Sequence, residues 1–241
     1  YYPTTGSAYF GPRFTYDPVT HAALGLLIEE QRTNLCTFSE SLNSAGWTST
    51  NQSVTLAAGT APDGSSNANR ITAAVGAGGK QTWNTVGSAT TVTTNTVYAK
   101  AGTANWLALA FDTQGVTDGA FFNLSTGVIG TVTGGATATI TPVGNGWYRC
   151  SATRTYASAN HAFTVEVHTA NAQGITWAAA GTETIYLWGA QLEAGATATS
   201  YIPTTSASVT RAADSAVMTG ANFSSWFDAA QGTFVFENKP P

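Results

Sequence analysis

Charge is what this sequence has least of. Of its 241 residues only 9% are charged, against the roughly one quarter usual in a globular domain. Nine Lys and Arg face thirteen Asp and Glu, for a net charge of −4. No basic stripe is available to neutralise phosphates or to hold an anionic bilayer, so neither nucleic acid nor a membrane surface is an expected partner. Cysteine occurs twice, as Cys36 and Cys150, and histidine three times. Their separations match no metal-binding spacing. The apolar and aromatic neighbours of both cysteines point to buried free thiols, since a free cysteine behaves as a small hydrophobe and a disulfide would need the two backbones close together. No apolar run approaches the roughly 20 residues of a membrane helix. The opening residues also lack the basic, apolar, small-residue order of a secretory signal. An exported-type composition without that signal fits a protein released by cell lysis, or a piece of a longer chain.

What is present is apolar and hydroxylic. Hydrophobic residues make up 43% and aromatics 11%, enough for a proper core. The surface must then be covered mainly by Thr, Ser, Asn and Gly. Short hydroxyl and amide groups suit sugar recognition, although inert extracellular β proteins share that composition.

Three stretches differ in character. Residues 1–34 mix aromatics with Pro and Gly and read as an extended N-terminal docking arm with turns. Its apolar run, Ala23 to Glu29, is expected as a short strand or docking segment. Side chains of this kind need a surface, either the next domain or a neighbouring chain. From 35 to 205 the pattern is short strands separated by Gly, Asn, Ser and Asp turns. Segments such as Ser53 to Leu56, Thr96 to Lys100, Trp106 to Phe111, Ala120 to Leu124, Thr137 to Thr141, Gly146 to Ala152, Ala162 to Val167 and Thr184 to Trp188 alternate or run apolar. Nine or ten such strands without a long helical period predict an antiparallel sandwich or barrel. Residues 206–241 read as a linker followed by the first strand, Gly232 to Glu237, of a further domain. Tyr1-Tyr2-Pro3-Thr4-Thr5 echoes Tyr201-Ile202-Pro203-Thr204-Thr205, either through composition alone or as a connector recurring at module boundaries.

Five stretches, Arg13 to Leu35, Val143 to Cys150, Leu187 to Gly195, Thr199 to Thr205 and Thr210 to Asp214, stand out as motifs, and together they resemble a family of domains in phage and prophage tail or head-fibre (spike) proteins. Thr15, His21 and Cys36 stand where the family has Asp, Gly and Leu. Within it, Asn34-Leu35-Cys36 running to Trp47, and the Pro62-Asp63-Gly64 turn, resemble jelly-roll carbohydrate-binding (galactose-binding-like) modules. The resemblance implies an all-β jelly-roll β-sandwich at 35–205 and a concanavalin-like domain beginning within 206–241. It further implies a place on the virion surface, host cell-surface polysaccharide and other fibre proteins as partners, and a homo-oligomer, with a trimer favoured because several weak sugar sites gain from avidity. Many such modules hold a structural calcium through an Asp on the last strand. Trp188 to Leu192, the matching stretch here, has no Asp, which counts against calcium; no other cofactor is implied.

Sugar recognition needs a flat aromatic face and a few planar polar groups. Strand parity turns Val97 and Ala99 one way and Tyr98 and Lys100 the other. It likewise sets Arg149 opposite Cys150, and Glu166 and His168 opposite Val165 and Val167. If these strands share a sheet, Tyr98, Lys100, Arg149, Glu166 and His168 form one polar-aromatic face. That face reads either as a ligand surface or as a solvated sheet face with ordinary cross-strand ion pairs. Among the tryptophans weighed as core or platform (Trp47, Trp83, Trp106, Trp177 and Trp188), Trp83 and Trp177 lie in loop-like surroundings and are the exposed candidates. Catalysis is not expected. Asp112, Asp118, Glu166, Glu183 and Glu193 are paired by no local motif, and neither a serine elbow nor a phosphate loop is present. Three readings follow: a sugar-binding module, a structural or decorating virion domain, and a piece of a polysaccharide depolymerase.

Overall fold

In a computed structural model of the chain, residues 13–17, 20–87, 92–112, 118–155, 160–215, 221 and 228 are described. The strands, in chain order, are β1 (Phe14–Tyr16), β2 (Ala23–Leu26), β3 (Arg32–Asn34), β4 (Trp47–Thr50), β5 (Gln52–Gly59), β6 (Ala68–Ala73), β7 (Gln81–Gly87) and β8 (Val92–Ala101). They continue as β9 (Trp106–Ala110), β10 (Gly119–Asn123), β11 (Val128–Thr133), β12 (Thr137–Gly144), β13 (Trp147–Thr155), β14 (Asn160–His168), β15 (Thr184–Ala194) and β16 (Val209–Arg211). The fold is all-β. Twelve of these strands form two six-stranded antiparallel sheets: sheet I in the order β11-β10-β9-β14-β7-β4, and sheet II in the order β12-β13-β8-β15-β6-β5.

The pairing is nested. β9 pairs with β10, β8 with β13, β7 with β14 and β6 with β15. The inner eight strands therefore behave as one long hairpin rolled around a barrel axis, which is the jelly-roll arrangement. Each strand is amphipathic with period two, so one set of side chains enters the space between the sheets. There Val97, Ala99, Leu107, Leu109, Phe122, Phe163, Val165, Val167, Ile185, Leu187 and Leu192 form one continuous core. Trp47 meets the edge of Phe163 with ring centroids 5.8 Å apart. Cys36 and Cys150 are free and buried in this core, and burial pushes both thiols far above their usual pKa. The β12–β13 hairpin closes through Asn145-Gly146, both at positive φ, the two-residue turn whose twist matches the flanking strands.

Residues flanking the sandwich are tied to it and to each other. β3 pairs with β16, and Asn34 is fully buried, donating from Nδ2 to the carbonyls of Ala190 and Ile202. Arg13 pairs with Glu29 and Asp214, and Arg211 also reaches Glu29. The Glu29 amide donates to Asp214 Oδ2, and the Asp214 amide donates to the Glu29 carbonyl, closing the clasp. β1 and β2 form a separate two-stranded ribbon. Its Phe14, Tyr16, Leu24 and Leu26, and the following Ile28, are exposed rather than packed on the sandwich. The segment expected as a further strand, Gly232 to Glu237, and the Tyr1 to Thr5 half of the sequence echo lie outside the described residues.

Candidate ligand-binding faces

Parity within strands follows the sequence reading, but the single polar-aromatic face does not form. β8 and β13 lie in sheet II, whereas β14 pairs with β7 and β9 in sheet I. Tyr98, Lys100 and Arg149 therefore share the outer face of sheet II. Glu166, His168 and Trp83 lie on the outer face of sheet I, with Trp177 beside them. The nested pairing is the reason, because it sends successive strands to alternate sheets.

On sheet I the outward rows are set by register. Trp83 of β7 stands opposite Thr164 of β14, which stands opposite Ala110 of β9. One row on, Glu166 stands opposite Ala108, and Ala108 opposite Phe121; the next row joins His168, Trp106 and Asn123. Glu166 and His168 are not solvated, both being fully buried. His168 Nε2 lies 2.9 Å from Glu166 Oε2, and Gln81 Nε2 donates to Glu166 Oε1 at 3.2 Å. Gln173 Oε1 lies 3.3 Å from His168 Nδ1 and accepts from the Thr169 amide at 2.9 Å. Phe121 and Trp177 flank the imidazole at 5.2 and 6.5 Å between centroids.

This pair is sealed by the 169–183 segment. Asn171 fastens it to β11, accepting from the Thr131 amide and donating to the Thr131 hydroxyl. Bridges Gly76 to Ala179 and Gly79 to Thr176 fasten its other end. Between them sits Lys80, wholly buried. Its ammonium donates to the carbonyls of Gly76 (2.9 Å), Gly78 (3.1 Å) and Trp177 (2.6 Å) and lies 4.8 Å from the Trp177 ring. Trp83, Trp106 and Trp177 remain partly exposed. The hydroxyl of Thr164 and the indole nitrogen of Trp177 are buried without a hydrogen-bond partner.

On sheet II the outward aromatics form a second cluster of Tyr98, Trp147, Trp188 and Tyr201 with Ala61 and Ala68. Trp188 and Tyr201 are 4.6 Å apart, and Tyr98 meets Trp188 at 5.3 Å. Arg149 lies over Tyr98 at 5.8 Å and donates to the Thr199 carbonyl. Tyr98 is thus buried in the outer face of its sheet. Tyr201 donates to Glu40 at 3.1 Å and lies 2.6 Å from the Ser39 hydroxyl. Burial, which the bonds from Tyr201 and Asn67 only partly offset, raises the pKa of Glu40 above the usual carboxylate value.

Two residues of this face, Arg70 and Tyr186, were missed in the sequence. β6 did not declare itself as a strand there, although Ala68 to Ala73 alternates between outward and core-facing side chains. Of the weighed tryptophans, Trp47 lies in the core and Trp188 is sealed in the outer cluster of sheet II. Trp106 joins Trp83 and Trp177 as partly exposed. Among the described residues no three His, Cys, Asp or Glu gather to hold a metal ion, and no helix is long and apolar enough to cross a membrane. The chain matches no family model and no curated protein.

Proposed function

We propose that the chain is a non-catalytic module of a phage or prophage fibre that binds host-surface carbohydrate through the outer face of sheet I. One observation carries this reading. Three partly exposed indoles, Trp83, Trp106 and Trp177, lie on this face, over the covered Glu166–His168 pair, and there Thr164 Oγ1 and Trp177 Nε1 lack partners. Indole faces take the apolar side of a pyranose, and unsatisfied buried groups are ones that a sugar hydroxyl would complete. Sandwich faces carrying only solvated side chains have neither feature.

The test is a glycan array probed with the whole chain, followed by titration of the best neutral glycan against Trp83→Ala and Trp177→Ala. Loss of about 10-fold or more in affinity from either variant, with the fold retained, is expected, since one stacked ring contributes about 1–3 kcal/mol. Silence across arrays and host polysaccharides would overturn it.

A structural reading is favoured by a different observation, the exposed Phe14, Tyr16, Leu24, Leu26 and Ile28 of the N-terminal ribbon and its continuation. Clustered apolar side chains of this kind mark protein contacts, and we take them as the homo-oligomer or fibre contact of the same module. Sedimentation of the chain against a Phe14→Ser, Leu26→Ser variant would test that role.

A further inference from the structure

The chain has nine basic residues, and those described are nearly all fixed in place. Arg13, Arg32, Arg154 and Arg211 pair with carboxylates. Lys80 is held by carbonyls, and Arg149 by a carbonyl and a ring. Arg70 and Lys100 differ: among the described residues neither has an ion pair or a hydrogen bond, and Arg70 Nε is buried with no partner.

These two cations are not scattered. Arg70 of β6 is the cross-strand partner of Tyr186 of β15, and Tyr186 is the partner of Lys100 of β8. Lys100 is in turn opposite Trp147 of β13. All four point outward, because Ile71, Ile185, Ala99 and Cys150 fill the core side. With strands about 4.8 Å apart, the Cα positions of Arg70 and Lys100 are roughly 10 Å apart, with Tyr186 on the strand between them. Tyr186 lies over Gly59, where an added Cβ would come within 3.5 Å of its ring. The cations and the phenol are all partly exposed.

Among the described residues no carboxylate pairs with them. Glu193, the one acid on the outward positions of sheet II, is buried and takes bonds from the Thr199 amide and hydroxyl. Glu40 and Asp63, beside this face, are occupied by Asn67, Tyr201 and Ser65. In a chain of net charge −4, this row is a local excess of positive charge around an aromatic ring.

We propose that the Arg70–Tyr186–Lys100 row is a second binding site, taking an anionic saccharide whose ring stacks on Tyr186 and whose carboxylate or sulfate is held by Arg70 and Lys100. It stands on the opposite sheet from the neutral-sugar face proposed above and does not depend on it. An arginine fork matches either oxyanion in two-point geometry, the lysine adds a point charge, and the phenol takes the apolar ring face.

The test titrates the full chain with oligogalacturonate and with sulfated dextran, each beside its uncharged counterpart, carboxyl-reduced oligomer and plain dextran. The expected result is binding of at least one anionic probe, at least 10-fold tighter than its neutral partner and falling steeply with added NaCl. Arg70→Gln and Lys100→Gln should each cost about 10-fold. Preference for one probe assigns the group as carboxylate or sulfate. Near-ultraviolet circular dichroism of the two variants guards against misfolding, and Tyr186→Phe, which keeps the ring, should retain binding. Equal affinity for charged and neutral probes, no binding of either anion, or anion binding untouched by both Gln variants would overturn this site. Loss of neutral-glycan binding through Trp83→Ala alone bears on sheet I instead.

Discussion

Replacing Lys80 with Met tests whether a buried ammonium holds the cover over sheet I. The substitution keeps most of the aliphatic stem and removes three donors. The carbonyls of Gly76, Gly78 and Trp177 then face each other unpaired inside a loop junction. A buried acceptor stripped of its partner costs about 1–3 kcal/mol, less where water enters. Three acceptors, offset by release of the penalty for burying one charge, give an expected loss of about 2–4 kcal/mol. For a protein of this size that is roughly 5–15 °C in Tm. Urea unfolding followed by tryptophan fluorescence measures it, since Trp177 lies against the ammonium. Hydrogen exchange should place the damage in the amides of Gly76 and Ala179, which bond each other's carbonyls. A variant within 0.5 kcal/mol of the parent, with those amides still protected, would refute the reasoning.

Other outcomes are equally specific. At Gly130 an added Cβ would overlap Asn171 Oδ1 and lie 2.6 Å from Trp106 Cζ3. Gly130→Ala should therefore loosen the 169–173 loop and cost about 1–3 kcal/mol, read by thermal unfolding and a shift in tryptophan emission. His21 holds φ 57°, a left-handed conformation costly to a residue with a Cβ, so His21→Gly should leave stability unchanged or raise it by up to about 1 kcal/mol; a clear loss in denaturant titration would contradict this. Burial raises the pKa of Asp214, but the Arg13 hydrogen bond, the Glu29 amide and the charges of Arg13 and Arg211 outweigh it and hold the carboxyl below its usual value. A depressed carboxylate stabilises the fold fully above its unfolded pKa of about 3.9 and loses that contribution as pH falls through the lower folded value. The β3–β16 pairing should thus persist at pH 5 and open in stronger acid, while Asp214→Asn opens it at neutral pH; NMR shifts of Thr33 and Thr210 report both.

The alternating strands made the sandwich legible, because Val97, Ala99, Val165 and Val167 can face only inward if their neighbours are Tyr, Lys, Glu and His. Sheet membership was not legible. Nothing local to β14 says that it pairs with β7 and β9 rather than with β8, since that choice is made by the nesting of strands far apart in sequence, as in the ladder from Leu187–Asn69 to Thr184–Thr72. So the expected five-residue face divided, Tyr98, Lys100 and Arg149 going to one sheet and Glu166 and His168 to the other. The burial of Glu166 and His168 was also hidden, because their cover is a Gly- and Ala-rich segment held by Lys80 and Asn171 rather than by apolar side chains. Arg70 went unnoticed for the opposite reason: its strand is short and opens Ala-Asn-Arg, without the aromatic or β-branched run that marks the others.

Nested pairing has a consequence for how the polypeptide is made. β6 is synthesised before its neighbour β15 and finds it only after more than a hundred further residues. Until then its edge and that of β7 are open to wrong partners, the situation in which high-contact-order β proteins fold slowly and aggregate. Of the four nested pairs β9–β10 alone closes locally, so assembly of the nest is expected to start there and zip outward, with the Arg13–Asp214 clasp locking last.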